Sequence, residues 1–191
     1  MKKSEKEARL NRIEYVDDET TPLKRILRLR ILPLIIGLFF GMFLSFLTSR
    51  FEEVLSKNIA VAFFIPLIVY LADAVGTQTE SLYIRDLRSG KANYKRYLIK
   101  ESLLGIMLGV FFSIFASIIV MFWFKSIELT FTVGLSIFFT VSIAPIVALN
   151  VVQILKLHHE DPALGAGPIA TVVQDAITVL IYGFIASWIL L

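Results

Sequence analysis

The chain contains no cysteine. It therefore has no disulfide framework, no thiolate metal centre and no cysteine nucleophile. Histidine is almost as scarce, with two residues adjacent at His158 and His159. Charge is thin as well. Asp, Glu, Lys and Arg make up 18% of the 191 residues, against about 25% in an ordinary soluble domain. Five stretches, residues 31–48, 58–72, 102–124, 129–155 and 162–191, cover more than half of the chain and contain only one such residue, Asp175. A bilayer core of about 30 Å needs about 20 apolar residues per helix. With 57% hydrophobic residues and a mean hydropathy of +0.75, these runs read as membrane spans, and a soluble enzyme is excluded.

The remaining charges describe topology. Residues 1–30 form a tail of mixed sign followed by a basic stripe (Lys24, Arg25, Arg28, Arg30) expected to lie on the membrane surface. Their charge and the lack of a small-residue cleavage pattern do not fit a cleaved signal. Residues 31–191 read as one five-span transmembrane domain. Alternating the loops puts sixteen Lys and Arg on one side and three on the other. The positive-inside rule then gives a cytoplasmic amino terminus and an external carboxyl terminus in the plasma membrane. Basic residues beside spans meet anionic lipid, so the bilayer is the partner and nucleic acid is not.

Polar residues inside the spans carry the functional signal. Asp175 lies mid-span, where a carboxylate costs about 2.5–3.5 kcal/mol even on lenient insertion scales. Thr171, Asp175, Thr178 and Tyr182 recur at helical spacing with Gln174 alongside, so one face of the last span is polar. Pro168 is expected to open that helix. A second group of oxygens, Asp73, Thr77, Gln78, Thr79 and Glu80, follows the second apolar run, with Gly76 allowing a turn or close approach. The second span and the one bearing Pro145 are expected to be interrupted near the pathway. Asn150 and Gln153 are weaker candidates. Gly37 and Gly41 offer a G-x-x-x-G packing pattern. His158-His159-Glu160-Asp161 lacks a third zinc ligand at suitable spacing. Two bland alternatives stay open: an interhelical hydrogen-bond cluster around Asp175, and a simple helix end at residues 73–80.

All of the intramembrane candidates are oxygen donors. That set suits a hard cation such as Mg2+, which keeps much of its water and binds through one or two carboxylates. Two Asp175 side chains across a twofold axis would suit a hydrated divalent ion better than one. No nucleophile elbow, phosphate loop or paired-histidine motif is present, so the chain is not read as an enzyme.

Phe51-Glu-Glu-Val-Leu, Ala62-Phe-Phe-Ile-Pro66, Gly76-Thr-Gln78 with Leu82-Tyr-Ile-Arg85, Lys100-Glu101, Asp161-Pro162-Ala163 and Pro168 through Asp175 stand in an order that resembles the membrane domain of MgtE-type magnesium transporters and channels. The resemblance covers residues 24–191. It implies a homodimer with an ion path along its interface and Asp175 at the position that recognises hydrated magnesium. It also implicates Gly76, Thr77 and Gln78, with Glu101 a weaker candidate. Ala72-Asp73-Ala74 departs from the family's Gly-Gly-Asn, and Ala176-Ile177-Thr178 lacks the glycine that often follows the pore aspartate. Thirty amino-terminal residues are too few for the cytoplasmic gating domains of larger members, which leaves room for a separate cytoplasmic regulatory partner. The combined expectation is an all-α, dimeric, five-helix membrane bundle transporting Mg2+, with Asp73 and Glu80 enriching cations at one mouth. The alternatives are another hard divalent cation (Mn2+, Co2+, Ca2+) and a non-transporting scaffold or accessory subunit.

Overall fold

A computed structural model describes residues 20–159 and 161–191. The expected tail over residues 1–19 and Glu160 lie outside the described residues. Among the described residues six helices follow one another: α1 Leu23–Ser49, α2 Glu52–Lys57, α3 Ala60–Arg88, α4 Tyr94–Phe124, α5 Ile127–Leu157 and α6 Pro162–Leu190. All but α2 are long and apolar enough to cross a membrane. At 1.5 Å per residue, helices of 27 to 31 residues are about 40–46 Å long, enough for the hydrocarbon core and both interfaces. The architecture is an all-α membrane bundle.

α5 is the axis of the bundle. Val133, Ile137, Val141, Ala144 and Leu149 are fully buried along it, with α4 on one side and α3 and α6 on the other. Its hydroxyl stripe is satisfied within the helix. Thr132, Ser136 and Thr140 donate to the carbonyls of Glu128, Thr132 and Ser136 at 2.8, 2.6 and 2.7 Å. α4 approaches α5 closely because Gly105 and Gly109 face Ser142, Pro145 and Phe138, while Gly134 faces Ser117. α1 is peripheral: none of its residues is buried, and it packs chiefly on α6, where Gly37 meets Val172 and Pro33 lies near Gly165.

Several sequence expectations need correction. The basic stripe is not a separate surface helix, since α1 runs unbroken from Leu23 through the first apolar run, with Pro33 inside it. The second span does not break at residues 72–80. α3 continues through Gly76 and ends at Arg88; beyond it Gly90, with a φ of +71°, turns the chain towards α4. α5 likewise runs through Pro145. Polarity in these segments is carried by side chains on continuous helices, so neither an interruption nor a helix end at 73–80 is present. The last helix opens at Pro162 rather than Pro168. Asp161 caps it by accepting from Ala163 N at 3.0 Å, and Pro162 occupies the first turn, where its missing N–H costs nothing. Gly41 has nothing within 4 Å of where a Cβ would stand, so the Gly37/Gly41 pattern does not form a close interface within this subunit.

Candidate intramembrane cation site

α3 and α6 run antiparallel, and three contacts fix their register. Tyr182 Oη donates to Val61 O at 2.6 Å, Thr171 Oγ1 donates to Asp73 Oδ1 at 2.9 Å, and Glu80 Oε1 would stand 3.7 Å from a Cβ on Gly167. Asp73 and Asp175 are each the fourteenth residue of a 29-residue helix, which puts both close to mid-membrane. Asp73 therefore stands at mid-helix rather than near a helix end. Glu80 lies two turns further along α3, about 10 Å towards the Arg88 end.

The polar stripe of α6 faces this seam. Thr171, Gln174 and Thr178 share the side that meets α3, with Gln174 and Thr178 buried at 3% and 1% exposure. Gln174 Nε2 reaches Thr178 Oγ1 at 3.5 Å, while its carbonyl oxygen is enclosed without a hydrogen-bond partner. Half-buried Asp175 is in the same condition: its Oδ1 is enclosed and unpartnered. Two consecutive residues thus hold buried acceptors that nothing among the described residues satisfies. An unmet buried acceptor costs about 1–3 kcal/mol, more when charged. On α5, Thr132, Ser136 and Thr140 close on their own backbone, whereas Ser142 Oγ, facing Gly109 of α4, is a third enclosed oxygen without a partner among the described residues.

Asp73, Asp175 and Glu80 are carried by the same two helices. The three carboxylates do not converge on one point. Among the described residues, no group of three His, Cys, Asp or Glu could hold a metal ion. The carboxylates of the seam are spaced apart, and spaced carboxylates suit an ion that retains its water.

The other candidates divide. Gly76 is buried but faces Ala144 and Ala148 of α5, so it sets helix approach and does not line the α3–α6 seam. Thr77 and Gln78 are exposed, pointing out of the five-helix unit. Asn150 is exposed on α5, accepting from Tyr94 Oη at 3.0 Å and donating to Ile146 O at 2.7 Å. Glu101 is half-buried on α4 and accepts from Thr79 Oγ1 at 2.7 Å. With Tyr83 donating to Gln153 Oε1 at 2.7 Å and Tyr97 to Asp86 Oδ2 at 2.6 Å, these bonds brace α3, α4 and α5 away from the α6 seam. Sequence reasoning passed over this brace. Its one advance signal is the row Thr79, Tyr83 and Asp86 on α3, at spacings of four and three.

Comparison with known proteins fits this architecture. The MgtE family profile, described as a divalent cation transporter, matches residues 65–185, well over half of the chain. Proteins named magnesium transporter MgtE from Bacillus subtilis and Enterococcus faecalis are 33% and 31% identical over 157 residues, covering 81% of this chain. One of the same name from Thermus thermophilus is 29% identical over 160 residues. The chain spans about a third of the length of these relatives, 35% of each.

Proposed function

Because the chain belongs to the MgtE family of divalent cation transporters, we propose that it carries a divalent cation, Mg2+ first among them, across the membrane as a homodimer. It acts as a transport protein and not as an enzyme. The path runs along the dimer interface, and Asp175 recognises the hydrated ion. The observation that carries this reading is the pair of unpartnered buried oxygens on Gln174 and Asp175 at mid-membrane. The water shell of a divalent cation supplies O–H donors to such acceptors while the ion's charge compensates the carboxylate.

The homodimer is supported by the outer surface of α3. Tyr70, Thr77, Gln78 and Ser81 are exposed on it, and an amide facing lipid is costly unless a second polar surface covers it. Pairing two subunits across this face would bring two Asp175 carboxylates to one axis. The excess of Lys and Arg beside the amino-terminal and 85–101 segments supports a cytoplasmic amino terminus in the plasma membrane. A doubly charged ion moving inward through 100 mV gains about 4.6 kcal/mol, so the membrane potential suffices to drive uptake. Any separate cytoplasmic regulatory partner would act on this path from the Arg88 end.

Magnesium uptake into proteoliposomes with an imposed inside-negative potential tests the reading. Wild-type protein is expected to transport and Asp175→Ala, correctly folded, is not. Competition by Mn2+, Co2+ and Ca2+ distinguishes magnesium from another hard cation. An intact dimer without uptake would favour the accessory-subunit reading.

A further inference from the structure

Descending the α3–α6 seam from Asp175 towards the Arg88 end, the carboxylates are spaced as rungs. Asp73 is held at the level of Thr171, one turn or about 6 Å below Asp175. Glu80 follows about 10 Å below Asp73, beside Gly167, where no side chain intervenes. The Thr171 hydroxyl engages only Oδ1 of Asp73. A second, independent feature points to a ligand between the first two rungs. Gln174 lies on the same α3-facing stripe as Thr171, is 3% exposed, and leaves its carbonyl oxygen without a donor.

We infer that Asp73 is a second cation-binding carboxylate, a relay rung presented by Thr171 that receives the hydrated divalent ion from Asp175 and passes it towards Glu80. The inference rests on the transport reading above and adds a step to it. Conduction needs binding strong enough to admit an ion yet divided among sites so that it can leave. A single mid-membrane carboxylate would hold a divalent ion with no neighbouring site to draw it on. A neighbour one turn away reduces the barrier to transfer, and its charge raises the preference for divalent over monovalent ions.

The test uses purified protein in detergent and in proteoliposomes, with Mn2+ as the spectroscopic probe. Mn2+ binding is followed by the loss of the free-ion paramagnetic signal, and Mn2+ uptake is followed in parallel. Asp73→Asn removes the charge but keeps an oxygen that can accept from Thr171, so a merely structural role predicts wild-type behaviour. The relay predicts Mn2+ affinity about tenfold weaker, lower uptake, and increased inhibition by Na+, with Asp73→Glu recovering most of the loss. Wild-type affinity, uptake and Na+ inhibition in a folded Asp73→Asn protein would overturn the relay while leaving the transport reading intact. Wild-type protein that neither binds nor transports Mn2+ or Mg2+ would overturn both. Should Asp73→Asn fail to assemble, Thr171→Val keeps the charge and removes its holder. It is expected to weaken Mn2+ affinity about threefold, and unchanged affinity there overturns the relay.

Discussion

The α4–α5 interface offers a packing prediction whose size follows from geometry. A Cβ on Gly109 would stand 2.5 Å from Ser142 Oγ and 2.8 Å from Phe138 O, and one on Gly105 would stand 2.8 Å from Ser142 O. Two of these three atoms are backbone carbonyls of a helix and cannot move aside singly. Relief requires α4 and α5 to separate. Gly109→Val therefore forces overpacking at the upper end of the usual range, about 3 kcal/mol. Gly41→Val is the matched control, because its added atoms meet nothing within 4 Å in the subunit and the change in helix propensity is the same. The difference between the two variants isolates the steric contribution, about 2–3 kcal/mol, or roughly 4–12 °C in Tm for a chain of this size. Thermal unfolding of the detergent-solubilised proteins measures it. Equal Tm values, or a larger loss in Gly41→Val, would refute the assignment of the close interface to α4 and α5.

Three further outcomes follow from the same structure. Asp161→Ala removes the cap on α6 and the carboxylate 3.9 Å from Arg88, and is expected to destabilise by about 1–2 kcal/mol in chemical or thermal unfolding. Tyr83→Phe leaves Gln153 Oε1 without its donor beside a fully buried ring, a loss of about 1–2 kcal/mol, whereas Tyr70→Phe on the exposed face of α3 should leave subunit stability unchanged. On α2, outside the spans, the Lys57 ammonium 2.8 Å from Glu53 holds that carboxyl below the ordinary glutamate value of 4.5. The pair's contribution is thus complete above about pH 4.5 and fades as pH falls through the lowered value. Lys57→Met should return the Glu53 titration upward, as followed by carboxyl-carbon NMR.

Much of the fold was legible because charge is excluded from lipid: the gaps between Lys, Arg, Asp and Glu marked five spans, and the described residues form five long apolar helices. Boundaries were less legible where two local signals compete. Asp161-Pro162 and Pro168 both look like helix starts, and the capping carboxylate decided for the former. Residues 72–80 looked like a break because polarity and a glycine coincide there. Gly76 instead answers to Ala144 and Ala148 on α5, a contact that local sequence does not encode. The polar stripe of α6 was readable from its period alone. Its pairing with Asp73, 98 residues away, was not, because periodicity describes a helix face and not what the face meets. For the same reason Thr132, Ser136 and Thr140 resemble a pathway stripe in sequence, and only their bonds to the preceding turn separate them from Gln174 and Asp175.

The central claim is that Asp175 meets a hydrated divalent cation on a path through the membrane. Magnesium uptake by proteoliposomes of wild type and Asp175→Ala, matched for folded protein and driven by an inside-negative potential, tests it most directly. Potential-dependent uptake is expected in wild type and background flux in the variant. Uptake in Asp175→Ala at the wild-type rate would contradict it.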